Sequence, residues 1–226
     1  MPSVQLQIIR VWDLPTRVFH WALAACFIAL VVTGRTGGAA MVWHGRLGYA
    51  VATLLLFRLV WGIVGGHWSR FAVLLYSPRS VLAYLRGNAP PLHTVGHNPL
   101  GALSVFALLF LLAVQVGTGL FSDDKAEFAG PFNVFISSSM ARTVTGYHKN
   151  VGEPLLILLV VLHLAAIGFY QLRRRQDLVR PMLHGNKTPG FAAPASRDDR
   201  SSRLMAAVAL AICAAFVAWL VSLGTD

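Results

Sequence analysis

Five apolar blocks, each close to twenty residues long, leave a chain like this one few folds to choose from. They cover about residues 17–33, 47–64, 100–121, 151–170 and 204–223. A helix rises 1.5 Å per residue, so each block approaches the roughly 20 residues that cross the hydrocarbon core of a bilayer. Inside lipid every backbone polar group needs an internal partner, which makes such blocks helical. Of the 226 residues 56% are hydrophobic and 12% charged, about half the charged share of a soluble domain. The expected fold is an all-α integral membrane protein with five spans.

The charges that remain report orientation. A net charge of +10 invites a nucleic-acid reading, but in a membrane chain Lys and Arg mark the loops that stay inside. The connection 65–98 carries Arg70, Arg79 and Arg86 and no acid, and 171–203 carries eight basic residues including Arg173, Arg174, Arg175, Arg180 and Lys187. The connection 122–146 instead holds Asp123, Asp124 and Glu127 against Lys125 and Arg142. The N-terminus and the two basic connections are therefore expected in the cytoplasm, with the acidic loop and the C-terminus in the periplasm. Arg10 and Arg17 precede the first block as in a secretory leader, yet no small-x-small cleavage site with a soluble domain follows, so the block reads as a retained helix. Cys26 and Cys213 each stand alone within a span, and no CxxC or CxxCH occurs, which argues against disulfides and against covalently attached haem.

Four histidines at the ends of apolar blocks carry the chemistry: His20, His44, His148 and His163. An imidazole in hydrocarbon is costly without a partner, and intramembrane ionisable residues mark function by default. With the N-terminus inside, His20 lies near the cytoplasmic surface and His44 at the periplasmic one. His163 follows His148 by fifteen residues on an inward-running helix, which sets it about 22 Å deeper and about 60° around the axis. Depth thus pairs His20 with His163 and His44 with His148. Two axial pairs suit two bis-imidazole haems, an arrangement that favours electron transfer over oxygen chemistry. A lone histidine near a span end is more often hydrogen-bonded than a ligand, but four at matched depths reverse that balance. Zinc or copper fits less well, since no carboxylate or thiolate joins either pair.

Other residues carry weaker signals. Arg58 is deep in the second span and Arg17 and Arg46 are close to span ends; haem propionates would be natural counter-ions, with snorkelling to the interface as the competing role. Gly45, Gly48, Gly117, Gly119 and Gly152 allow close approach of either a porphyrin or a neighbouring helix. His67, His93, His97 and His184 sit in or beside connections, where loop-anchoring roles dominate, although His97 could cap the third span. Residues 77–85 read as a short surface helix, and 185–202, rich in Pro, Ala and Ser, as a flexible tether. A distortion is expected at Pro154, and no internal repeat is evident.

The segments VWDLPTRVFHW, WHGRLGYAVATLLLFRLVWG, GHNPLGALSVFALLFLLAVQVGTGLF, HKNVGE…VLHLAAI and DLVRPMLHG, within about residues 7–187, resemble the bacterial cytochrome b561 family, which includes the b-type subunit of membrane nickel–iron hydrogenases. The resemblance implies a four-helix transmembrane bundle over residues 1–184 that holds two haem b non-covalently, with His20, His44, His148 and His163 as ligands. Residues 185–203 would then be a basic cytoplasmic linker and 204–223 an additional transmembrane helix. One departure stands out: the histidines of the fourth span are about one residue further apart than is common in the family.

The resulting expectation is a di-haem b-type cytochrome of the bacterial inner membrane. It would pass electrons between the quinone pool, ubiquinone or menaquinone, and a periplasmic c-type cytochrome or hydrogenase-like subunit, with membrane lipid and no nucleic acid as its other surroundings. Two rivals belong to other classes. One is a superoxide:ubiquinone oxidoreductase, disfavoured by the acidic outer loop; the other is a haem-free transporter or assembly factor with structural histidines.

Overall fold

The computed structural model describes residues 7–125 and 128–224, so Glu127 of the acidic connection lies outside the described residues. Helix α1 spans Leu14–Thr36, α2 Ala40–Val64, α3 Phe71–Leu74, α4 Pro78–Leu85, α5 Pro99–Phe121, α6 Ser138–Tyr147, α7 Glu153–Leu172, α8 Val179–His184 and α9 Arg200–Ser222. A π-turn, His148–Gly152, joins α6 to α7, giving one continuous stretch over Ser138–Leu172. Together with α1, α2, α5 and α9 it makes five stretches long and apolar enough to cross a membrane. Large side chains such as Ile63, Phe110, Leu164 and Ile212 are more than 60% exposed, an apolar surface that lipid rather than water must cover. The expected multi-pass helical fold is present, and α4 is the short helix read at 77–85.

His148 opens the π-turn, which holds one more residue than an α-turn, so one extra residue lies between His148 and Gly152 on the way to His163. The distortion expected at Pro154 therefore lies just upstream of it. Proline has no N–H and its ring crowds the carbonyl four residues earlier; the widened turn contains that residue, Asn150.

The chain forms two compact units. The first comprises residues up to Phe19, Arg58–Ala107 and His163–Ala207; the second comprises His20–Phe57, Leu108–Leu162 and the residues from Val208 on.

In the first unit, strand β1 (Ile9–Arg10) pairs antiparallel with β2 (Asn186–Lys187). Ile9, Val11, Trp12, Trp68 and Val95 form a small core, against which Phe191 and Ala193 pack. Ser196 donates through its N–H to the Arg10 carbonyl at 2.7 Å and through its hydroxyl to the Val11 carbonyl at 2.7 Å. The Trp68 indole donates to the Pro194 carbonyl at 2.8 Å. Residues 185–199 are thus no flexible tether, because their backbone acceptors and apolar side chains are used by this core. Asp13, fully buried, caps α1: its carboxylate accepts from the Thr16 N–H at 2.8 Å and the Trp61 indole at 3.1 Å on one oxygen. The other oxygen accepts from the Gly66 N–H at 3.1 Å and the Ser69 hydroxyl at 2.7 Å. A carboxylate with four donors is stable without water.

In the second unit, Leu111, Leu112 and Leu156 are buried with Leu23, Phe27, Leu55 and Leu159 around them, so α1, α2, α5 and α7 share one apolar core. The connection after α5 folds back on itself. The Asp124 N–H donates to the Phe128 carbonyl at 3.1 Å, and the Phe128 N–H donates to the Asp124 carboxylate at 3.0 Å. This places the Phe128 ring 6.4 Å from that of His44.

Candidate cofactor site

Within the second unit a cavity opens above the leucine core. Its walls are apolar, with Phe27, Leu30, Val31, Leu112 and Val116 among them, and His44 and His148 both line it. Part of it is open to the outside, and apolar walls with a few placed polar groups are the usual lining of a site for an organic cofactor.

The two imidazoles are held in the same way by different helices. The Nδ1 of His44 lies 3.1 Å from the Leu30 carbonyl on α1, and the Nδ1 of His148 lies 3.0 Å from the Gln115 carbonyl on α5. A carbonyl only accepts, so each Nδ1 carries the proton and each Nε2 keeps a lone pair. Three residues beyond each carbonyl stands a threonine, Thr33 or Thr118, whose hydroxyl oxygen lies 3.3 Å or 3.2 Å from the same Nδ1. Each hydroxyl donates to the carbonyl four residues back in its own helix, Ala29 at 2.7 Å and Val114 at 2.9 Å. Next comes a glycine, Gly34 or Gly119, where an added Cβ would lie 3.0 Å from the ring. Carbonyl, threonine and glycine thus recur at the same spacing on α1 and α5. This local repeat went unseen in the sequence, where its one trace is the dipeptide Thr-Gly at 33–34 and 118–119.

The ring centroids of His44 and His148 are 6.2 Å apart with planes at 80°. Two imidazoles sharing one ion through metal–nitrogen bonds of about 2 Å would have centroids roughly 6 Å apart. Proton-bearing Nδ1 atoms bonded to carbonyls are the usual outer support of such ligands. The charges near the mouth are paired, Arg35 with Glu153 at 2.8 Å and Lys149 with Asp124 at 3.5 Å. Among the described residues no group of three or more His, Cys, Asp or Glu could hold a metal ion, so the cavity offers the Nε2 atoms of two imidazoles as its nitrogen donors.

His20, on α1 in the second unit, is half-buried with its ring edge-on to Trp21 at 5.1 Å. His163, on α7, is half-buried and belongs to the first unit. In that unit Arg58 is 4% exposed, its guanidinium 4.5 Å over the Phe71 ring, and its Nη1 has no hydrogen-bond partner among the described residues. Arg17 donates to the Leu183 carbonyl, while its buried Nε is likewise unpartnered there. Arg46 is exposed, lies over Trp43 at 5.1 Å, and does not line the cavity. His93 and His97 pack on Tyr76 and Trp12 at 4.8 and 4.7 Å, and His67 on Trp68 at 4.9 Å. His97 does not cap α5. The neighbouring Asn98 does, accepting from the Gly101 N–H at 2.8 Å, since its short amide reaches the first turn.

Sequence reasoning missed Asp13, Thr33, Gly34, Gln115 and Thr118. Asp13 had a local signal, an acid just before Leu-Pro-Thr at a helix start.

A membrane bundle with two facing, proton-oriented imidazoles over an apolar cavity defines a membrane cytochrome of b type. A model of the prokaryotic cytochrome b561 family matches residues 11–185, and the chain belongs to that family. It is similar to a probable Ni/Fe-hydrogenase B-type cytochrome subunit of Cupriavidus necator, 26% identical over 211 residues that cover 79% of this chain and 86% of the relative. The corresponding subunit of Bradyrhizobium diazoefficiens is 25% identical, covering 79% and 85%. The probable Ni/Fe-hydrogenase 1 B-type cytochrome subunit of Escherichia coli is also 25% identical, covering 83% and 94%. No solved structure matches the chain. The protein is a multi-pass membrane cytochrome that carries haem b and serves electron transport.

Proposed function

We propose that the chain is a di-haem electron carrier that links the quinone pool to a redox partner outside the inner membrane. The observation that carries this reading is the facing of His44 and His148, 6.2 Å apart, each with Nδ1 committed to a carbonyl and Nε2 left for iron. One haem b is held by this pair and a second by His20 and His163, matched by depth in the lipid. Haem b, when bound, would supply a one-electron acceptor and donor, and two imidazole ligands to it would suit electron transfer rather than oxygen chemistry. The protein's own part is to hold the imidazoles in one tautomer, to exclude water with the apolar walls, and to neutralise the propionates. Arg58 and Arg17 suit that last role, since each has a buried guanidinium nitrogen without a partner among the described residues. Arg46, over Trp43, would serve a propionate only by swinging away from that ring.

The partner is a hydrogenase-like subunit or a c-type cytochrome. The former is supported by the relatives, which bear the name of hydrogenase cytochrome subunits. The quinone is ubiquinone or menaquinone. The N-terminus is assigned to the cytoplasm and the C-terminus to the periplasm on the Lys and Arg distribution. The haem-binding core is assigned to residues 1–184, the connection to 185–203 and an additional span to 204–223. Pairing of Arg35 and Lys149 with acids favours electron transfer over superoxide oxidation, which would need free cationic charge to draw the anion in.

The test is a haem count with a reduction assay. Purified protein is expected to give two haem b per chain by pyridine haemochrome, and quinol in liposomes to reduce both. No haem, or haem that quinol does not reduce while superoxide does, would overturn the proposal.

A further inference from the structure

The two imidazoles of the cavity are supported alike through Nδ1 but differ in what lies behind them. The residue that presents its carbonyl to His44 is Leu30, and the one that presents its carbonyl to His148 is Gln115. Gln115 does more than accept. Its side-chain amide donates to the His148 carbonyl at 2.9 Å, while His148 Nδ1 donates to the Gln115 carbonyl at 3.0 Å. Each side chain grips the other's backbone.

The carbonyl that Gln115 holds belongs to the first residue of the π-turn, where it also receives the N–H of Glu153. The other end of the amide, Oε1, is buried without a hydrogen-bond partner among the described residues. It occupies the space that a Cβ on Gly152 would need. Leaving a buried acceptor unpaired is costly, and π-turns concentrate at functional positions. No such amide stands behind His44, whose supporting residue is aliphatic.

We propose that Gln115 is a positioning residue for the His148 imidazole. Its side chain is wedged into the π-turn against Gly152, and its amide bond to the His148 carbonyl sets the backbone from which the ring projects. The inference rests on the reading that His148 ligates iron. It adds that the two axial ligands of one haem are held with unequal stiffness, tightly at His148 and more loosely at His44.

The experiment uses the full-length, haem-loaded protein, with ferric low-spin EPR and redox titration as readouts that a merely structural residue would leave unmoved. Q115M keeps the bulk of the side chain and removes its donor. It is expected to retain both haems, to shift the low-spin g values of one, and to raise the potential of that haem alone, because a less firmly held imidazole is a weaker donor. Q115L, similar in bulk and likewise without the amide donor, is expected to do the same and serves if Q115M does not assemble. G152A is expected to weaken retention of that haem about 10-fold or more, the range for losing a ligand's outer support, and G152A/Q115A to restore it. Unchanged EPR and potential in Q115M or Q115L, or no rescue of G152A by Q115A, overturns the positioning role. H148A separates the two levels. If it keeps both haems, the ligand reading itself fails; if it loses one while the glutamine variants are silent, only the present inference does.

Discussion

The rings of His44 and His148 stand 6.2 Å apart and nearly perpendicular, close enough to share one ion and too far apart to bond each other directly. Their Nδ1 protons are already spent on carbonyls of α1 and α5. If the two rings hold one haem, replacing either by alanine removes one of its ligating nitrogens and leaves the proposed His20–His163 pair untouched. His44→Ala and His148→Ala are expected to lose the same haem, and His20→Ala and His163→Ala the other. Difference spectra with a haemochrome count check this, and loss of both haems in every variant would count against the pairing.

Gly34 and Gly119 are expected to be intolerant of a side chain. A methyl group at either would sit 3.0 Å from the imidazole, tighter than ordinary contact, and would push the ring away from its carbonyl. Gly34→Ala and Gly119→Ala should each weaken haem retention about 10- to 100-fold. Haem loss to apomyoglobin measures it; wild-type retention in both would show that the rings are free to move.

Asp13 anchors the first unit. Asp13→Ala strips the acceptor from the Trp61 indole, the Gly66 N–H, the Ser69 hydroxyl and the α1 cap at once. The expected loss is about 2–4 kcal/mol, combining a missing N-cap with unpaired buried donors. Thermal unfolding in detergent would read it, and an unchanged Tm would mean that water reaches this end of the unit.

Asp198 should make stability fall in acid. Burial works against its ionisation, but hydrogen bonds from the Arg203 side chain and the Leu14 N–H, with the charges of Arg203 and Arg10, hold its carboxyl below the usual range. A depressed carboxylate stabilises the fold above its unfolded pKa of about 4, and that contribution is lost as pH falls through the folded value. Asp198→Asn should lower Tm at pH 7 and flatten the acid limb of the Tm profile. Parallel acid limbs in both proteins would exclude the linkage.

Much of the protein was legible before folding. Spans show in the sequence because the length and apolarity that a bilayer demands are properties of a single segment. That the rings of His44 and His148 come together was legible too, because a polar ring in such a segment is conspicuous and its depth follows from counting residues. The π-turn was half visible, as a proline at 154, but its position depends on which carbonyl loses its donor.

The supports of the two imidazoles were hidden. Thr33, Gly34, Gln115 and Thr118 look like ordinary helix residues, and they meet an imidazole only because the register of α1 against α2, and of α5 against the α6–α7 rod, brings a particular carbonyl to a particular Nδ1. The packing of Phe191, Pro194 and Ser196 onto the first unit was hidden likewise, in a stretch whose composition reads as a tether. Local composition dictates which segments enter lipid and which rings are worth watching. Hydrogen bonds between segments remote in sequence depend on helix rotation and register, so the cradle that orients each ring emerges only when the helices pack.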